Sequence, residues 1–303
     1  MPSLSTVRAA NAKFSPAYMP TAIFVGGTSG IGQGVAEAFA HHTHGNANIV
    51  LVGRNRAAAE AIIASFPRPT VPGVTHEFLQ CDATLMSNVR AAAASLLARR
   101  PHVNFLVMSA GVMTLAGRDE TAEGIDRKLA LHYYSRWAFA DALLPALRAA
   151  HEAGEDAKVL SVLSAGHGGP IDLEDLGLKK GFSLPAASTV APTYNDLMEL
   201  AARNPGLSFV HSFPGGVRSG LMSNSPSIAL RAAYVAFLPI LFPWTMSVRT
   251  AGEYQLFGLL SAGPGMARRG SAGEDIGMKA WFGTEEARRR LWAHSVEAAG
   301  AKA

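Results

Sequence analysis

Short apolar runs alternate with amphipathic stretches along most of the chain. Residues 21–25, 48–52, 76–80, 104–108, 159–163 and 207–211 are five-residue runs rich in Ile, Val, Leu and Phe. Runs of that length, too short for buried helices, predict strands, most of them covered on both faces. Between them lie segments of helical spacing. Val35, Ala36, Phe39 and Ala40 recur on one face of 33–42, and 57–66 and 85–99 follow in the same way. A long helix is expected over 123–151, with Ile125, Leu129, Tyr133, Trp137, Ala140 and Leu144 on one side, and another runs to about residue 204. Strands that alternate with helices predict an α/β fold: one doubly wound parallel sheet with helices on both faces. Residues 1–20 read as an N-terminal extension that packs on the domain or frays, and 21–303 as a single domain. About 222–303 form a small C-terminal substrate lid and closing helices, including a helix-like 250–261 and a tail helix capped at Thr284.

The most apolar segment, 232–246, departs from this alternation. It is interrupted by Pro239 and Pro243 and is shorter than the roughly 20 apolar residues a membrane span needs. It reads as a substrate lid, a subunit or membrane-surface contact, or a core element. A chain of 303 residues with 49% hydrophobic and 17% charged content can bury a large core. The formal charge of +4 is scattered, which argues against a nucleic-acid partner. The single cysteine, Cys81, excludes an internal disulfide and suits a reducing compartment, and the first residues lack a secretory pattern. A cytoplasmic protein without a transmembrane span or metal site is expected.

The candidate chemistry starts at Val25-Gly26-Gly27-Thr28-Ser29-Gly30-Ile31-Gly32, between the first strand and its helix. A turn with little side-chain bulk leaves the first helical N–H groups unpaired at the positive end of the helix dipole, where a pyrophosphate fits. Gly26 permits an unusual backbone angle, Gly30 lets a ligand approach the main chain, and Gly32 lets helix and strand lie close. Arg54, just past the second strand, is a fixed cation for a ribose 2′-phosphate, which favours NADP(H) over NAD(H); the alternative is a solvated loop arginine. Gly111, in Met108-Ser109-Ala110-Gly111, follows the fourth strand, and Phe213-Pro214-Gly215-Gly216-Val217-Arg218-Ser219 follows the sixth.

Together these motifs resemble the short-chain dehydrogenase/reductase family over about residues 21–221, which implies a Rossmann-like fold. The resemblance implies that Asp82 contacts the adenine, although Asp82 is also placed to cap the helix after it. It implies that Thr28, Ser29 and Ile31 join the glycines around the cofactor, and that Pro214, Gly215 and Val217 lie beside the nicotinamide. The family's Asn-Asn-Ala-Gly is reduced here to Ser109-Ala110-Gly111, so one structural hydrogen-bonding pair must be made differently. Homodimers or homotetramers are implied through 123–151 and 186–204.

The catalytic pattern fails. The family uses a Ser, a Tyr and a Lys four residues later: the phenol protonates oxygen, and the ammonium lowers the phenol's pKa. Ser164 is in register, but none of the six tyrosines, at 18, 133, 134, 194, 234 and 254, has that lysine. Family spacing aligns Phe182 with the tyrosine, Ala186 with the lysine and His132 with a helix-bending Asn. If the enzyme is a reductase or dehydrogenase, another group handles the proton: His132, Tyr133, Tyr134, Tyr194 or His167, each set against a purely structural or solvated role. A non-redox isomerase, dehydratase or cyclase on the same scaffold is the second reading, and an NADP(H)-sensing protein the third. Asp172-Leu173-Glu174-Asp175-Leu176-Gly177-Leu178-Lys179-Lys180 resembles fungal members associated with secondary metabolism. With the apolar segment as a lid, a hydrophobic substrate such as a terpenoid or polyketide is expected.

Overall fold

The computed structural model describes residues 1–198 and 200–300. In chain order the elements are α1 (Leu4–Asn11), β1 (Thr21–Val25), α2 (Gly30–His42), β2 (Asn48–Gly53), α3 (Arg56–Ser65), β3 (His76–Gln80), α4 (Met86–Arg99) and β4 (Phe105–Met108). They continue as α5 (Arg127–Leu129), a π turn (Ala130–Tyr134), α6 (Ser135–Glu152), β5 (Lys158–Val162), α7 (Leu184–Asp196), α8 (Leu200–Arg203) and β6 (Ser208–Ser212). The chain closes with β7 (Val217–Arg218), α9 (Gly220–Ser223), α10 (Ile228–Leu241), a 3-10 turn (Phe242–Trp244), β8 (Met246–Ser247), α11 (Val248–Leu260), β9 (Gly265–Arg269) and α12 (Glu285–Ala299).

The main sheet runs in the order β3-β2-β1-β4-β5-β6-β9, with every pairing parallel. Alternate residues of each strand serve opposite faces. Ile23, Val25, Val50 and Val52 pack with α4, α6, α7 and α12, whereas Ala22, Phe24, Ile49 and Leu51 pack with α2 and α11. Strand order reverses between β1 and β4, and ligands of such sheets sit in the crevice outside the carboxyl ends there.

The sequence pattern is revised in four places, and one alternative it left open is decided. The long helix begins at Arg127 rather than 123: Asp126 caps its first N–H groups, and the helix widens into the π turn before α6. Glu123, left outside, caps α4 instead, accepting from Ser87 N at 2.9 Å and from Met86 N. Asp82 is therefore not that helix's cap; its carboxylate holds Thr84 N and Oγ1 at 3.0 and 2.8 Å. The helix toward 204 stops at Asp196 and resumes as α8. β9 was not anticipated, because Gly265–Arg269 ends in two arginines and lacks an apolar run. The N-terminal extension packs rather than frays: Asn11 bonds Glu253 on α11, and the Phe14 ring meets Phe39 and Phe105 at 5.9 and 5.6 Å.

Candidate nucleotide and catalytic site

Backbone contact between the first and fourth strand ends shapes the floor of the crevice. Gly26 has φ +84°, and a Cβ there would lie 2.5 Å from Ala110 N. A Cβ on Gly32 would lie 2.3 Å from Ser109 Oγ, so neither position accepts a side chain. Ser29, the N-cap of α2, makes no side-chain bond to the first turn, so the turn's leading amides are not capped by a side chain. They open on a cleft of about 280 Å³ lined by Gly26, Thr28, Ser29, Gly30, Ile31, Arg54, Asp82 and Gly111. Gly32 stands behind this wall. Pro214, Gly215 and Val217 are also outside the lining; Ser219 and Gly220 serve in that loop instead.

The residues fit a phosphorylated dinucleotide. Arg54 is exposed at the cleft, and Asp82 is oriented by Thr84. Cys81 also lines the cleft; burial, aided by Asp82, pushes its thiol up to about 12, so it stays protonated and unreactive. Sequence reasoning missed Cys81, Met113 and Leu131 as lining residues and named Ser109 and Ser219 only as parts of the two loop motifs. Leu131 sits inside the predicted helix 123–151 and carried no such signal; the others adjoin a predicted strand end or loop, which is the signal that would have found them.

Beyond the nucleotide end the strand ends are tied together by a buried arginine. Arg136 donates to Met108 O at 3.2 Å, Ala110 O at 2.9 Å, Val162 O at 2.9 Å and Ser161 Oγ at 2.7 Å. It thereby joins β4 to β5. Burial without a carboxylate bonded to it pulls its guanidinium down to about 9, still a cation at neutral pH. Ser161 Oγ passes the network to Asn195, whose amide donates to His132 O at 2.8 Å in the π turn. The wider turn provides that free carbonyl.

The four candidate catalytic residues do not form one cluster: Ser164 and His167 adjoin, His167 N donating to Ser164 O at 3.1 Å, whereas Tyr194 and His132 are engaged elsewhere. Tyr194 is fully buried rather than facing the cleft; its hydroxyl donates to Leu176 O at 3.0 Å, and burial raises its pKa. Tyr133 and Tyr134 are likewise spent, on Ser295 and His294 of α12. His132 Nε2 accepts from Val112 N at 3.2 Å, and burial, with Arg136 adding to it, drives the ring down to about 4. The ring is therefore neutral at neutral pH with Nε2 already engaged, which makes it unsuited to donating a proton. His167 lies on the exposed loop after β5, its Nδ1 against Ala165 O at 3.2 Å and its ring 4.3 Å from that of Phe213.

Ser164 follows β5, and its backbone N–H points to His211 Nε2 at 3.4 Å. His211 Nδ1 meets Asp196 at 2.6 Å, and Asp196 also takes two bonds from Arg268, at 2.9 and 2.8 Å. This is no nucleophilic triad, because the imidazole accepts from the serine's main chain rather than its hydroxyl. Phe182 precedes α7 with Lys128 Nζ 5.0 Å from its ring centre, and Ala186 N is held by the cap Ser183. The helices assigned to a partner subunit carry α12 of the same chain: Trp292 packs on Trp137 at 5.3 Å and under Arg203 at 4.1 Å. The apolar segment is no core element either, since no residue of α10 is buried.

Comparison with known proteins agrees with this geometry. The family model described as short chain dehydrogenase matches residues 20–169. An oxidoreductase of Emericella nidulans, AN1596, is 37% identical over 265 residues, covering 86% of this chain and 78% of that protein. The mouse polyprenol dehydrogenase is 28% identical over 95% of this chain and 88% of its own. A short-chain dehydrogenase from Sphingobium yanoikuyae, solved with NADPH, superposes with TM-score 0.54 at 22% identity over 79% of this chain and 84% of its own. A seven-stranded parallel sheet with a glycine cleft at its switch point, together with these matches, means that the chain belongs to the short-chain dehydrogenase/reductase family of enzymes.

Proposed function

We propose that this enzyme is an NADP(H)-dependent oxidoreductase that interconverts a ketone and an alcohol on a hydrophobic small molecule, in the cytoplasm and in fungal secondary metabolism. One observation carries the cofactor: the leading amides of α2, the exposed Arg54 and the oriented Asp82 line a single cleft. The amides would hold the pyrophosphate, Arg54 the 2′-phosphate and Asp82 the adenine end. Held in this cleft, the cofactor would supply or accept the hydride. Ser164 orients the substrate oxygen, and His167, with Nδ1 engaged on Ala165 and Nε2 open, exchanges the proton with solvent. Apolar Met113 and Leu221 at the cleft suit a hydrophobic substrate, as does the likeness to a polyprenol dehydrogenase.

The test is titration with NADPH and NADH by nicotinamide fluorescence, beside Arg54→Glu. NADPH binding that the variant loses supports the reading; binding of neither nucleotide rejects it. A non-redox isomerase, dehydratase or cyclase is favoured by the burial of Tyr133, Tyr134 and Tyr194, which leaves none of them free for proton donation. Loss of NADPH absorbance on adding a bulky alicyclic ketone, abolished by Ser164→Ala, rejects that alternative.

A further inference from the structure

We infer that α10 and the 3-10 turn after it dock on the surface of an anionic lipid bilayer, holding the cleft mouth against the membrane. The helix has an outward apolar face that no described residue covers: Ile228 is 72% exposed, Val235 71%, Ile240 61% and Trp244 76%, with Phe237, Leu241 and Phe242 between them. Fourteen residues broken by Pro239 are too short to cross a bilayer but long enough to lie in its interface. Among the described residues no helix is long and apolar enough to span a membrane.

Charge selects the occupant. From Leu200 through Gly252 the sequence holds no Asp or Glu and no Lys, only arginines. Arg231 on the helix and Arg249 beyond it are exposed, and neither pairs with a carboxylate among the described residues. A second copy of this chain docked symmetrically on the same face would set these arginines near their own equivalents with no acidic group in the segment to pair them. Anionic headgroups pair them, while Trp244 at the end of the helix takes the level that tryptophan prefers between headgroups and hydrocarbon.

The attachment places the cleft. Leu221, Asn224 and Ser225 line it, Ser225 Oγ donates to Met113 O at 2.7 Å, and Ser227 Oγ accepts from Leu115 N at 2.9 Å one residue before α10 begins. At the far end Arg218 bonds the Thr245 side chain at 3.0 Å and lies 4.1 Å from the Phe242 ring. A helix held at both ends beside the mouth would bring that mouth to the bilayer, where hydrophobic substrates partition. The inference does not depend on the redox reading, since docking needs neither cofactor nor turnover.

The experiment is flotation of the full chain with phosphatidylcholine vesicles, with and without phosphatidylserine. We expect the protein to float, more strongly with phosphatidylserine and less at high salt. In the variant Phe237→Ser/Ile240→Ser/Trp244→Ser the partition coefficient should fall on the order of 100-fold, with an unchanged melting temperature because all three side chains are exposed. Lipids brominated near the headgroup should quench tryptophan fluorescence in the wild type, and Trp244→Phe should remove that quenching while flotation persists. Failure to float on either vesicle overturns the inference, as does flotation that survives the triple substitution. A wild-type dimer by light scattering that becomes monomeric in the triple variant, with neither form floating, overturns it in favour of a second copy.

Discussion

The two halves of the sheet treat their strand ends in opposite ways. At β1, β2 and β4 the polar groups are left open: amides of α2 without a side-chain cap, an exposed guanidinium and a carboxylate that, among the described residues, is held only by Thr84. At β5, β6 and β9 most polar groups are paired inward, Arg136 on carbonyls and Asp196 between His211 and Arg268, with Ser212 Oγ and Arg269 Nε buried without a hydrogen-bond partner among the described residues. A ligand site needs unspent hydrogen-bonding groups, whereas a buried network is stable only when each member is satisfied. The first half is built to receive something; the second has largely turned its polar residues into structure, leaving Ser164 and His167 near the surface.

The sharpest way to break that contrast is at its buried end. Asp196→Ala leaves Arg268 and His211 without their partner, and urea unfolding should register a loss of about 3–5 kcal/mol. A loss near zero would mean that the network is solvated rather than structural. Next comes acid. The His132 ring is held from its ordinary 6.5 down to about 4 by burial, then by Arg136. Below pH 6.5 the unfolded chain takes a proton the folded chain refuses, so this contribution is complete above pH 6.5 and drains away as pH falls toward 4, by up to about 3 kcal/mol. His211 and His294 are lowered by burial in the same direction, so the quantity to measure is the pH dependence of stability in wild type minus that in His132→Gln.

At the open end, Arg54→Glu should weaken NADPH by about 100-fold, roughly 2.7 kcal/mol, with little change for NADH. Equal weakening of both would move Arg54 from the phosphate to general electrostatics. The smallest effect expected is at Tyr194→Phe. It removes one hydroxyl bond to Leu176 O, costing about 1 kcal/mol of stability, with turnover changed by less than about threefold. A collapse of kcat would return Tyr194 to the catalytic centre.

The same contrast decides what the sequence could reveal. The nucleotide half is written locally: a strand, a glycine turn and a helix within 21–42, and Arg54 directly after the next strand. The chemical half is written in distant pairs. Arg136 reaches back 28 residues to Met108, and Arg268 finds Asp196 72 residues away. Periodicity carries no trace of such partners. A faint signal was available, since Arg136 interrupts a stretch, 129–140, that is apolar around much of the helix, and a charge there must be satisfied from inside. The same pattern suggested a catalytic Tyr194 because it shows which face a residue occupies but not what its hydroxyl meets. β9 stayed hidden because its arginines are neutralised only by the fold.

The way α10 is attached has a consequence for descent as well as for docking. It packs chiefly on its neighbours α9 and the 3-10 turn, and it is joined to the rest through Ser225 and Ser227 at one end and Arg218 at the other. Substitutions along it therefore disturb neither the sheet nor the glycine turn, and insertions before Phe242 would lengthen a loop-like outcrop rather than open a core. A lineage can rewrite this helix residue by residue, trading one surface or substrate for another, while the nucleotide cleft is inherited intact.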